Sequence, residues 1–113
     1  MKGKLVSFIG AIVALTSPAH GSSSDWGFIK NVYGTHNGAV LFDVDAPRTA
    51  LPGCQYPGVP KRWALDASTV AGQAQVAVLL SAQARGKRVI VVGMYGCSIW
   101  GDTETVAFFM VED

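Results

Sequence analysis

The sequence is short of the residues that carry most enzyme chemistry. It has two histidines and two cysteines in 113 residues. His20 falls in a leader-like segment, which leaves His36 alone in a Gly- and Asn-rich turn, a solvated position for a residue that could still bind from a loop. There is no G-x-S-x-G and no second histidine, so no serine–base pair can be drawn. No phosphate-cradling glycine loop occurs. Asp43 and Asp45 could be drawn as a glycosidase pair, but alternation along one strand puts both on a solvated outer face. Asp102 and Glu104 could hold a cation together with backbone carbonyls, yet the rest of a calcium loop is missing. The expected reading is no catalytic residues, no metal, no cofactor and no enzyme.

Charge of one sign is also lacking. Beyond residue 21 the chain keeps seven Lys/Arg and eight Asp/Glu. A balance of seven minus eight, −1, gives no basic excess to neutralise phosphates, which argues against a nucleic-acid partner. No apolar run reaches the ~18–20 residues that span a bilayer. The longest, Leu5 to Leu15, follows Lys2 and Lys4 and precedes a breaker at Pro18 with small residues at Ala19 and Gly21. This is the three-part pattern of a secretory signal peptide over 1–21, with cleavage after Gly21 or after Ala19. An uncleaved membrane anchor is the competing reading, and the shortness of the run disfavours it. One domain over 22–113, secreted or periplasmic and without a membrane span after cleavage, is expected.

What the remainder contains fits an exported domain. Cys54 and Cys97 form an even pair, which reads as a disulfide in an oxidising compartment. Two buried free thiols or half of a metal site are the alternatives, although two Cys with two distant His make no zinc spacing. Residues 22–25 read as a polar leader. Strands are expected at Phe28–Tyr33, Val40–Asp45, Trp63–Asp66, Lys87–Met94 and Thr105–Val111, from β-branched and aromatic enrichment, with period-two alternation in the first two and a near-continuous apolar run in the fourth. The first two read as a hairpin across the turn 34–38. Residues 46–62 hold four prolines, which excludes a central strand there. A helix is expected over Ser68–Arg85, capped by Ser68 or Thr69 and stopped at Gly86.

The helix lacks charge from Thr69 to Ala84. Surface helices ordinarily carry a charged face. Val70, Ala74, Ala77, Val78 and Ser81 share one side of it. Either the helix is enclosed by the core, or a second face, carrying Ala71, Ala74 and Val78, meets copies of itself. Strand, strand, strand, helix, strand, strand is the order of a five-stranded OB-fold barrel with its helix between strands three and four. Such a barrel binds at loops and along its second and third strands. The candidate ligand residues are Trp26, Tyr33, Tyr95, Trp100 and Asp102, aromatic platforms with nearby polar groups near strand ends and loops. Trp63 is expected to be a packing residue.

The strand–helix order, the uncharged helix ending in Ala84-Arg-Gly-Lys-Arg-Val, and the segment Gly93-Met-Tyr-Gly-Cys-Ser-Ile-Trp-Gly-Asp-Thr-Glu-Thr-Val carry a resemblance covering most of 26–112. On these features the chain resembles the B subunits of the subtilase cytotoxin and pertussis type. The resemblance implies an OB-fold, a homopentameric ring with helices around a central pore, binding of cell-surface glycans, and a catalytic A subunit as a partner. It does not imply the sialic-acid site. The serine expected just ahead of the first strand is matched by Trp26, and the tyrosine expected in strand four falls near Gly93. An exported OB-fold structural or stress-related protein that binds a protein partner in the periplasm is the alternative.

Overall fold

The computed structural model describes residues 21–113. The expected signal peptide, apart from Gly21, lies outside the described residues. Five strands and one helix follow in the order β1 (Gly27–Gly34), β2 (Ala39–Asp45), β3 (Arg62–Asp66), α1 (Val70–Ala84), β4 (Arg88–Gly93) and β5 (Glu104–Val111). The described part is therefore mainly β, a five-stranded sheet with its helix between the third and fourth strands. β1 and β2 form the expected antiparallel hairpin, β2 pairs antiparallel with β3, and β4 pairs antiparallel with β5. β3 and β5 run parallel at Trp63↔Glu104 and Ala64↔Thr105. β4 also meets the start of β1 at Gly27↔Val89, so the pairing runs β1-β2-β3-β5-β4 and returns to β1.

Apolar residues at alternate strand positions point inward. Ile29, Phe42, Val44, Trp63, Leu65, Val89, Val91 and Val106 form one buried cluster, with Leu79 and Ala82 of α1 closing it from one side. The Thr69 side chain caps α1 by accepting from the Gly72 amide at 2.9 Å. Ser68 instead donates to Asp66 Oδ1, so the helix starts two residues later than expected. At the other end Lys87 N–H donates to Ala82 O and Gly86 N–H to Gln83 O, with Gly86 at φ +66°. Those two bonds make a Schellman stop and satisfy carbonyls that the helix end would orphan.

The helix is not enclosed. Its buried residues are Gly72, Leu79 and Ala82. The side carrying Ala71, Ala74 and Val78 is exposed, with Val70 at 84 % and Val78 at 48 %. Of the two explanations for the missing charge, burial in the core on all sides is therefore the one the fold does not realise.

The 22–25 segment is not a free polar leader. Ser22 and Ser24 are buried. Gly93 N–H donates to Ser22 O at 2.8 Å and Ser24 N–H to Val91 O at 2.9 Å, so this segment runs antiparallel beside β4. Val91–Gly93, the part of the β4 edge beyond its pairing with β1, supplies the partners that a serine-rich stretch needs to be buried at low cost.

The disulfide expected from cysteine usage is present between Cys54 and Cys97, with Cα atoms 6.1 Å apart. It joins the proline-rich β2–β3 loop to the β4–β5 loop. Closing a 43-residue loop stabilises by about 4 kcal/mol in the chain-entropy model. Hydrogen bonds reinforce the join. Tyr56 N–H donates to Asp102 O at 2.9 Å, and Glu104 N–H donates to Gln55 Oε1 at 2.7 Å.

Candidate functional site

The start of β5 carries two carboxylates that part company. Glu104 turns inward and is fully buried. Its carboxylate pairs with the Arg48 guanidinium and accepts from Ser22 Oγ and from the Tyr95 amide, the last at 2.7 Å. Arg48 is also almost fully buried. It donates to the carbonyls of Ala50, Pro60 and Arg62 and lies 3.8 Å over the Trp63 ring. Burial lowers the Arg48 pKa, and the Glu104 charge opposes that. A buried pair with every donor and lone pair engaged is a structural joint. Trp63 is buried, as expected, although its Nε1 has no partner.

Asp102 turns outward. Arg62 Nη2 donates to Asp102 Oδ1 at 2.7 Å, Arg62 Nε to Thr103 Oγ1 at 2.8 Å and Arg62 Nη1 to Tyr33 Oη at 3.1 Å. Partial burial would lower the Arg62 pKa, but the bonds and charges of Tyr33 and Asp102 raise it on balance. Asp102 and Glu104 therefore cannot converge on one cation. Among the described residues there is no group of three or more His, Cys, Asp and Glu placed to hold a metal.

Tyr33 reaches this site because β1 carries a bulge. Lys30 pairs with Asp43 and Tyr33 with Leu41, so three steps on β1 match two on β2. In a regular strand residues 30 and 33 would face opposite sides. The extra residue, with Asn31 at φ +52°, puts both outside, the re-aiming that bulges provide. Asn31 Nδ2 also holds Asp43 Oδ2 at 2.9 Å.

Beside Tyr33 and Arg62, the outer side of β1 and β2 forms an open depression lined by Lys30, Asn31, Asp43, Asp45 and Lys61. Lys61 Nζ donates to Asp45 Oδ1 at 2.9 Å, and that ammonium lowers the Asp45 pKa. The surface is thus nearly neutral in sum and dense in donors and acceptors. The solvated outer face expected for Asp43 and Asp45 is what the structure has.

The five candidate ligand residues do not form one site. Tyr33 and Asp102 meet through Arg62, which the sequence reading passed over. Trp100 belongs to the same loop, where Thr103 N–H donates to its carbonyl at 2.9 Å. Trp26 stands just before the opposite end of β1. Tyr95, at φ +60°, hands its amide to Glu104 and its hydroxyl to Leu51 O, so it serves the buried joint. Arg62 was legible only as the residue ahead of a short strand. Its role depends on a bulge and a loop distant in sequence.

A second surface is apolar. Ala74, Gln75 and Val78 of α1 and Phe108 and Phe109 of β5 line an open depression of about 210 Å³. Phe108 and Met110 are each 51 % exposed. No described helix is long and apolar enough to cross a membrane. No protein-family model matches this chain, and no curated protein and no solved structure matches it either.

Proposed function

We propose that this chain is an exported OB-fold binding module of the toxin B-subunit type, assembled with copies of itself and recognising a glycan through the outer side of β1–β2–β3. The observation that carries the reading is the Tyr33–Arg62–Asp102 group beside the Lys30–Asn31–Asp43–Asp45–Lys61 depression. OB barrels bind oligosaccharides on the second and third strands, between the β1–β2 and β4–β5 loops. The return of the pairing from β4 to β1 and the helix between β3 and β4 support that fold. Carboxylates accept from sugar hydroxyls, Arg, Lys and Asn donate to them, and the Tyr33 ring offers an apolar platform.

The apolar side of α1 and β5 supports self-assembly. The uncharged side of α1 carrying Ala71, Ala74 and Val78 can approach a neighbouring copy with no like-charge repulsion, and contiguous exposed apolar surface marks interaction sites. Weak sites repeated around a ring would then gain avidity without new contacts. The second reading, a periplasmic structural or stress-related protein, draws on the same apolar side, with a different protein covering it.

Native mass spectrometry and a glycan array on the oxidised protein test both halves. The expected results are a homo-oligomer that Val78→Asp disperses, and glycan binding that Tyr33→Ala removes. A strict monomer without glycan binding, yet with a saturable protein partner blocked by Val78→Asp, would establish the second reading.

A further inference from the structure

We propose that the Gly21–Ser22 peptide bond is the processing site of this protein, and that the α-ammonium released on Ser22 docks onto the buried Glu104 carboxylate. The proposal rests on the export reading of residues 1–21. Ser22 is 2 % exposed. Its amide nitrogen lies 3.4 Å from Glu104 Oε2, its hydroxyl donates to Oε1 at 2.5 Å, and its carbonyl accepts from Gly93 N–H. The first nitrogen of the expected mature chain is thus already inside, against a carboxylate. Glu104 Oε2 otherwise accepts only the Tyr95 amide, whereas Arg48 engages Oε1.

The reaction is hydrolysis by an exported peptidase. Water adds to the Gly21 carbonyl and the C–N bond breaks. The hydroxyl stays with Gly21 as its carboxyl group, and the proton goes to the Ser22 amine, which takes one more from solvent. A bond flanked by a buried Ser22 is closed to a peptidase in the folded chain, so cleavage precedes docking. The ammonium then gives Glu104 a second cationic partner and replaces a long hydrogen bond from an uncharged amide by an ion pair.

Gly21 separates this proposal from its alternatives. A Cβ at position 21 would lie 1.5 Å from the Gly93 carbonyl oxygen. If the mature chain began upstream, after Ala19 or without any cleavage, Gly21→Ala would force that backbone apart. If it begins at Ser22, residue 21 is gone, and alanine is an acceptable small residue ahead of the cut.

The experiment uses the full chain exported from a bacterial host, as wild type and as Gly21→Ala. Intact mass starting at Ser22 for both, with equal urea midpoints, is the expected result. A mature chain starting elsewhere, or a destabilised Gly21→Ala product, overturns the proposal. As a second measurement, protein beginning at Ser22 is compared with its N-acetylated form, which keeps the N–H but removes the charge. Acetylation is expected to raise the unfolding equilibrium constant about tenfold, the loss of the donor's charge from a hydrogen bond whose carboxylate acceptor is unchanged. Equal stability overturns the docking. Glycan binding and oligomer mass are read separately, so failure here leaves the binding proposal intact.

Discussion

Two arginines from the stretch around the β2–β3 loop reach two carboxylates at the start of β5, and the two pairs differ in depth. Arg48–Glu104 has side chains 5 % and 0 % exposed, whereas in Arg62–Asp102 the carboxylate side chain is 47 % exposed. Inside, water cannot replace a lost partner, so the pair joins the N-terminal segment, the proline-rich loop and β5. Outside, water competes with the pair and a ligand hydroxyl can do the same. Similar functional groups, two residues apart where the β4–β5 loop enters β5, therefore serve stability in one case and stay open to solvent in the other.

The largest expected effect comes from breaking the inner pair. Glu104→Ala leaves Arg48 buried without its charge partner and is expected to cost about 3–5 kcal/mol, read from urea unfolding. Replacing both groups, Arg48→Met with Glu104→Leu, should cost less than Glu104→Ala alone, because no buried charge is then uncompensated. If the double variant is the less stable, the pair is more than a mutually dependent joint.

The outer pair should respond in the opposite way. Asp102→Asn is expected to change stability by no more than about 1 kcal/mol, as exposed pairs do, while weakening the proposed glycan binding measured by calorimetry. A loss of stability as large as that of Glu104→Ala would remove the contrast between the two pairs.

The smallest effect belongs to a third arginine pair, Arg88–Glu112, at the far end of β4 and β5. The Arg88 side chain and backbone amide both donate to Glu112 and hold its pKa at about 2, below the ordinary 4.5. A carboxylate with a depressed folded pKa stabilises above its unfolded value and loses that contribution as pH falls from about 4.5 towards 2. Glu112→Gln should therefore flatten the acid side of the stability profile in that window and leave the profile near pH 7 similar in shape. Thermal unfolding between pH 2 and 7 checks it.

Much of this architecture is legible without coordinates. Period-two patterning in the first two strands and apolar, β-branched runs in the others placed all five to within two residues, because at least one face of each must leave water. The cap at Thr69, the stop at Gly86 and the proline-rich interruption follow from local backbone chemistry. The cysteine pairing follows from there being only two candidates. The candidate site was legible only in part. Tyr33 and Asp102 were visible as loop and strand-end residues, but Arg62, which joins them, was not.

By itself, then, the sequence determined the order of the elements, their inward-facing residues and the disulfide, since these depend on near neighbours and on the solvent. Only the tertiary structure decided which way Glu104 and Asp102 turn, which side of α1 stays open and which side of β1 carries Tyr33. Those outcomes rest on Arg48, 56 residues from Glu104, on the sheet that α1 packs against, and on a bulge that shifts register by one residue. A side chain settles where its buried charge is matched, and that match is made between segments far apart in the chain.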